Sequence, residues 1–453
     1  MWAYLSRKYR SSLTRRLADR ASTAIKRAVR GSLIVNSALR MKLPTPALGL
    51  SSSKTIQLAS KLSASVWLRL DSRLLALGRR LDSILDDSMA FKAIIRSPAI
   101  LLMLLFLYFA SSRAVVSART LVVLLTSMLA YLVGVIAGRL ECSKSKITVA
   151  ESSAPLYVGG VMYLLGVVFL AKQLTSIGGL PILSEELRRK LVCSLTYVAW
   201  SIAPASVIIS PWIHSGRSSV DRLKFLVFSS ISVAMVALLG YRTSTIAAIL
   251  GLALYAFYTR LATSLDLLLT FIAVLGAYIG IGVVRYELRG LIDPFYTALS
   301  RPTLTVSNFD ILMQKYGFAP LSHGFIHISA FTSALPFLPG SKIGPRRIIG
   351  SLVGVRGEVS TTATVFAPLI LDFGLLGCIL ASLLCGFVIS LLFYSRSESE
   401  LADRVKYSLY CVLIMYLAPS IESGLLDFNV YVYMGIALML YFLISQPSQS
   451  STL

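Results

Sequence analysis

From Pro98 onward the chain alternates long apolar stretches with short polar turns. Such stretches have no polar side, the pattern of helices surrounded by hydrocarbon or by other helices. Ten membrane-spanning helices are predicted, at 98–112, 120–138, 154–172, 191–209, 224–240, 244–259, 263–284, 365–394, 405–420 and 428–446. Several fall short of the roughly 20 residues that cross a bilayer, and one has the length of a re-entrant segment. The preceding residues obey another rule. Leu5, Tyr9, Leu13 and Leu17 recur at every fourth position with arginines between them, and Leu62, Val66, Leu70, Leu74, Leu77 and Leu81 make a second stripe. Each stripe suits a helix lying on an anionic membrane surface; for 1–40 a solvated basic tail fits equally well. Leu43 to Ser53, with its prolines, glycine and serines, reads as a linker.

The expected fold class is therefore all-α, a polytopic integral membrane protein with about ten transmembrane helices. Residues 1–97 form a basic amphipathic extension, cytoplasmic or on the membrane surface, and 98–446 the transmembrane domain. That domain includes one large extracytoplasmic loop, 285–364, and a short tail, 447–453, follows it. Composition agrees: 56% of the 453 residues are hydrophobic, 14% are charged and the mean hydropathy is +0.74. Soluble domains carry about 25% charged residues, which excludes an ordinary soluble enzyme, and the apolar content excludes disorder.

Forty-four Lys and Arg against 21 Asp and Glu give a net charge of +23. An excess of this size points to anionic lipid, a phosphate-bearing substrate or nucleic acid. Nucleic acid is the weakest of the three for a chain mostly immersed in lipid. Positive residues near spans stay cytoplasmic. A basic head inside the cell puts Arg139, Lys144, Lys146, Arg217, Arg222, Lys224, Arg260, Arg396, Arg404 and Lys406 inside too, and ten spans return the C-terminus there. The turn at 173–190, with Arg188, Arg189 and Lys190, is the short loop that breaks the rule.

The outer loop breaks it more severely. It carries Arg285, Arg289, Arg301, Lys315, Lys342, Arg346, Arg347 and Arg356, a charge that membrane insertion does not explain. Arg242 sits at the outer end of the turn between the fifth and sixth spans. A guanidinium stays charged and binds phosphate through two parallel hydrogen bonds, so arginines gathered at one face suit a lipid-linked pyrophosphate. A snorkelling Arg is the plainer alternative for Arg242 taken alone. His323 and His327 have i,i+4 spacing, but no Glu follows the first, so the metalloprotease pattern fails and no metal is expected. Five scattered cysteines read as packing residues. Nucleotide-binding and serine-hydrolase signatures are missing.

Gly240-Tyr-Arg-Thr-Ser244, opening a span, resembles the Gly-x-Arg-Thr/Ser element of the O-antigen polymerase and ligase group. Pro339 to Gly350, continuing through Gly357-Glu-Val-Ser-Thr-Thr362 to Ala367-Pro-Leu-Ile-Leu-Asp-Phe-Gly-Leu-Leu-Gly377, resembles archaeal oligosaccharide repeat unit polymerases. The resemblance covers roughly 98–446. It implies a Wzy-like, metal-independent, inverting glycosyltransferase of GT-C type without a cofactor. Such an enzyme joins polyprenyl- or dolichyl-pyrophosphate-linked oligosaccharides at the outer face among membrane lipids, beside a chain-length regulator or flippase. Arg242 matches the family element directly. Arg285 with Glu287 carries over as a further catalytic candidate, and His323 as the loop histidine important in related ligases. Arg301, Arg346, Arg347, Arg356 and Asp372 are the substrate-binding candidates. Arg242 and Arg285 would clamp the pyrophosphate, and His323, Glu287 or Glu358 would take the hydroxyl proton. Glu287 and Glu358 also suit salt bridges with neighbouring arginines, and Asp372 a helix cap. The alternatives are a ligase, with the same chemistry, and a flippase, which would need its cations along a path through the bilayer.

Overall fold

Apolar runs without a polar face form helices here because lipid leaves the backbone no other partner than itself. The computed structural model describes residue 88 and residues 95–447 apart from 146, 183–184, 215, 217, 288–293, 336 and 356–360. The described residues belong to one compact unit. The helices are α1 (Ile100–Ser111), α2 (Ala118–Ser145), α3 (Ala154–Ile177), α4 (Glu185–Arg189), α5 (Cys193–Ala199), α6 (Ile202–Ile213), α7 (Ser219–Leu238) and α8 (Arg242–Tyr258). They continue with α9 (Ser264–Glu287), α10 (Pro294–Tyr316), α11 (Phe325–Ala334), α12 (Pro345–Val353), α13 (Phe366–Tyr394), α14 (Glu400–Ser423) and α15 (Phe428–Ile444).

Each predicted span holds a helix, although 191–209 is divided between α5 and α6. By length and composition, four helices are suited to cross a membrane: α2, α3, the stretch Ser194–Ile213, and α13. Helix α1, at 12 residues, reaches only about 18 Å. Its start is fixed deep in the bundle, where the Tyr131 hydroxyl donates to the Pro98 carbonyl at 2.7 Å. Leu125, Leu129 and Ile136 of α2, Leu164 and Val168 of α3, and Leu380 and Leu384 of α13 are exposed, the positions a bilayer covers.

The tightest seam joins α2 to α13. Gly134 and Gly138 are one helical turn apart, and a Cβ on Gly134 would lie 2.0 Å from the Leu383 carbonyl oxygen. Gly386 returns the contact: its Cβ would lie 2.2 Å from the Tyr131 carbonyl oxygen. Small residues one turn apart let helix backbones approach where no hydrophobic force separates protein from lipid.

A three-stranded sheet ties together the C-terminal ends of three helices. β1 (Ile147–Val149) follows α2, β2 (Arg396–Ser397) follows α13 and β3 (Ser445–Pro447) follows α15. Their order is β2-β1-β3, with Thr148 opposite both Arg396 and Gln446. At the same end, Arg404 Nη1 donates to the His214 carbonyl at 2.7 Å, and His214 Nε2 lies 2.9 Å from the Tyr255 hydroxyl. Burial and then the Arg404 charge push His214 below the ordinary imidazole range, so it packs as a neutral ring.

The opposite end carries what the sequence suggests is a loop of about eighty residues. Most of 285–364 is helical, as α10, α11 and α12. These helices enclose a core of their own, in which Phe309, Leu312, Met313, Ile326 and Ile349 pack against Phe366, Ile370 and Leu371 of α13. One carboxylate docks α10 on α2. Asp310 Oδ1 accepts from the Ser117 amide (2.7 Å), the Ser117 hydroxyl (2.6 Å) and the Thr120 hydroxyl (2.7 Å), and Oδ2 from Gln314 (2.5 Å). Burial works to raise its pKa, yet these hydrogen bonds outweigh it and hold the carboxyl below its usual value.

The α2–α13 seam makes a direct prediction. Gly134→Ala drives a methyl into a backbone carbonyl and is expected to cost about 1–3 kcal/mol, read as a lower unfolding temperature in detergent. An unchanged transition would mean that the helices are not in backbone contact.

Candidate functional site

The site at the loop end is built on a break in α13. Gly374 has φ +69° and ψ −174°, which interrupts the helix between Leu371 and Leu375. An unbroken helix would pair the Leu375 amide with the Leu371 carbonyl. Here both are taken by the turn before α11: Leu375 donates to the Phe318 carbonyl at 3.0 Å, and Leu371 accepts from Leu321 (2.7 Å) and Ser322 (2.9 Å). Only glycine suits this place, because a Cβ would meet the Phe318 oxygen at 2.9 Å.

The break leaves Asp372 facing the start of α11. Its Oδ1 accepts from the Ser322 hydroxyl (2.6 Å) and the Ile326 amide (3.1 Å). Its Oδ2 accepts from the His327 amide (2.9 Å) and from His327 Nδ1 (2.5 Å). The Asp372 side chain is fully buried while that of His327 is 15% exposed. A carboxylate at a helix N-terminus meets unpaired amides and the positive end of the helix dipole, so this burial is offset by good partners. His327 Nε2 is buried and finds no partner among the described residues. The rings of Phe373 and Tyr431 flank the imidazole, with centroids at 5.3 and 6.4 Å.

A second ion pair lies close by. Arg346 Nη2 donates to Asp427 Oδ2 at 2.5 Å, and Tyr431 is within electrostatic reach of both Asp427 and Asp372. Arg301 pairs with Glu422 at 3.4 Å, on the last turn of α14 just before the connection that carries Asp427. Arg346, Arg301, Asp372 and His327 are thus gathered at one end of the bundle. Arg347 is exposed on the first turn of α12. His323 lies in the turn before α11 with a left-handed backbone, φ +46°, and the imidazole paired with a carboxylate is His327. The side chains of Arg285 and Glu287, and residues Arg289, Arg356 and Glu358, lie outside the described residues.

Arg242 is the first residue of α8, after Gly240 at φ +74°. The turn at 178–182 packs on it: Ile182 donates to the Leu238 carbonyl at 3.2 Å, and Arg188 lies over the Tyr241 ring at 5.9 Å. Arg188 therefore lies over the ring of the residue that precedes Arg242. His327 was the residue hardest to select from the sequence. The usable signal was its place four residues after His323, together with the Asp-Phe-Gly of 372–374 that breaks α13. Among the described residues no group of three or more His, Cys, Asp or Glu side chains could hold a metal ion.

Apolar helices around a buried core, with charged pairs collected on one helical cap, define a polytopic helical membrane protein. The family model described as "Putative O-antigen polymerase" matches residues 94–434, and the chain belongs to this family. Its members are membrane polymerases of polysaccharide biosynthesis, which implies a lipid-linked oligosaccharide as substrate and membrane lipid as surroundings. An uncharacterised protein of Methanocaldococcus jannaschii is 26% identical over 291 residues, covering 62% of this chain and 76% of that protein. No solved structure matches the chain.

The Asp372 cap is testable by itself. Asp372→Ala strands two amides, a hydroxyl and an imidazole, and is expected to destabilise the chain by about 3–5 kcal/mol, with Asp372→Asn losing less. Unfolding measured in detergent would show it, and a loss below about 1 kcal/mol would contradict the packing described.

Proposed function

We propose that the chain is a glycosyltransferase that lengthens a lipid-pyrophosphate-linked oligosaccharide at the outer membrane face, with inversion and without a metal. The observation that carries the reading is the His327–Asp372 pair beside Arg346. Asp372 holds the Nδ1–H of His327, which leaves the Nε2 lone pair as the base. A sugar hydroxyl of one lipid-linked unit attacks the anomeric carbon of another. Its proton passes to Nε2, the new C–O bond forms, and the bond to the pyrophosphate breaks, the electron pair leaving with the phosphate. Attack from the side opposite the leaving group inverts the anomeric centre. Asp372 then stabilises the imidazolium. Arg346 and Arg301, oriented by Asp427 and Glu422, supply positive charge toward the departing group, with Arg347 and Arg356 as neighbours in the sequence. Fixed donors aimed at developing charge supply the stabilisation that reorganising water would not.

Nε2 is covered in this conformation, so productive binding has to displace a flanking ring. Phe373, 48% exposed, is the more mobile candidate. Orientation rests on charge. The sheet end carries Arg139, Lys144, Arg222, Arg260, Arg396, Arg404 and Lys406, and the positive-inside rule makes it cytoplasmic. Arg242, Arg285 and Glu287 belong to the outer end on the same reading, and ten crossings of GT-C type accommodate it.

In vesicles supplied with lipid-pyrophosphate-linked oligosaccharide, wild type is expected to lengthen the glycan. His327→Ala is expected to lower the rate by about 10²-fold or more, the scale of general base catalysis. Arg242→Ala and Arg242→Lys should fail while still folding. Movement of the glycan across the membrane without lengthening would make the chain a flippase instead. A cysteine placed at Ser341 should label from outside the cell, and exclusive labelling from inside would invert the topology.

A further inference from the structure

Between the two cationic groups at the loop end runs an unbroken row of aromatic rings. Tyr241, beside Arg188 and Arg242, meets Trp200 edge-on at 4.9 Å. Trp200 meets Tyr197 at 5.5 Å, and Tyr197 meets Phe428 at 6.0 Å. Phe428 meets Phe331 at 5.5 Å, and Phe331 meets Tyr431 at 5.3 Å, whose next neighbour is the His327 ring. The rings come from α5, α11 and α15, with Trp200 directly following α5 and Tyr241 directly preceding α8, so the row is made by the tertiary fold. Phe428 and Tyr431 lie three residues apart on one face of α15.

Two features separate this row from ordinary core packing and from a lipid-facing belt. Every ring in it is only partly buried, whereas the largest core side chains, such as Tyr255 and Tyr410, are sealed. The outward positions of α2, α3 and α13 are mostly aliphatic, with Tyr157 and Phe373 as exceptions. Trp200 Nε1 is also a donor with no acceptor among the described residues, a cost unless a ligand or solvent meets it. Partly buried rings, with tyrosine and tryptophan among them, suit a ligand that is apolar on its faces and rich in hydroxyls on its rim. A pyranose is such a ligand: its C–H face is electropositive and lies against the negative face of an aromatic ring, and its hydroxyls meet N–H and O–H groups at the edge.

We propose that this row is the track for the sugars of the acceptor substrate. The inference rests on the polymerase reading and deepens it. Both substrates of a polymerase carry a diphosphate, and in the acceptor it lies one oligosaccharide away from the attacking hydroxyl. The structure has a cationic group at each end of the row. Arg242 and Arg188 hold the acceptor's diphosphate, its sugars stack along Tyr241, Trp200, Tyr197, Phe428 and Phe331, and its terminal hydroxyl arrives at His327. Arg346 and Arg301 hold the diphosphate of the donor, which is the one that leaves. The row then selects acceptors by glycan length.

The test measures binding to the full chain in nanodiscs with two probes. One is lipid-pyrophosphate-linked oligosaccharide extracted from the producing cells, the other sugar-free polyprenyl pyrophosphate. Trp200→Leu and Phe331→Leu are expected to weaken the first by about tenfold, a stacking-sized effect, and to leave the second unchanged. Trp200→Phe, which keeps a ring, should restore binding, and Arg242→Ala should weaken both probes. Equal losses on both probes for the ring variants, or no loss on either, would overturn the track. Lengthening is assayed separately: a wild type that binds in this pattern and lengthens nothing would refute the polymerase reading and leave the glycan track standing.

Discussion

The loop end is organised around a single interrupted helical turn. Where Gly374 breaks α13, one amide and one carbonyl lose their partners, and both are met by the turn at 318–322. Buried backbone groups have to be paired, so that turn is held in place by the break itself. The same interruption turns Asp372 toward α11, where it satisfies two amides, a hydroxyl and an imidazole at once. Position and chemistry are therefore coupled. The carboxylate that secures the helix is also the one that orients the histidine.

Charge is divided between the two ends according to different rules. At the sheet end it secures the backbone: Lys406 donates to the Ser395 carbonyl and Arg404 to that of His214. At the loop end the arginines of the two ion pairs are bound to carboxylates and only partly covered, which fixes each guanidinium plane at an accessible position. A phosphate meeting such a group pays little for ordering it. That difference, more than the number of basic residues, distinguishes a ligand-facing surface from one that serves membrane insertion.

Much of this could be read from the sequence. Apolar length found a helix in each predicted span, because lipid permits no alternative, and Gly240-Tyr-Arg placed Arg242 at the start of α8. The stretch 285–364 was less legible. Its helices are short and amphipathic, and they bury their apolar sides against the ends of α1, α2 and α13, contacts that local periodicity does not reveal. His327 could not be chosen over His323 for the same reason: its partner lies 45 residues away and is brought near by a helix break. The aromatic row has no sequence signature at all, since its members come from distant helices. The Gly134–Gly138 pair, which the sequence reading did not single out, marks the closest seam in the bundle.

The small sheet has a mechanical consequence. By stitching the tails of α2, α13 and α15 into one hydrogen-bonded ribbon, it makes that end of the bundle stiff, and the glycines of α2 and α13 extend the stiffness partway along. Among the described residues the far end has no such ribbon: near the glycine break it is held by three backbone hydrogen bonds to a single turn, so the clamp that fixes one end is spread over three helices while the other hangs on one.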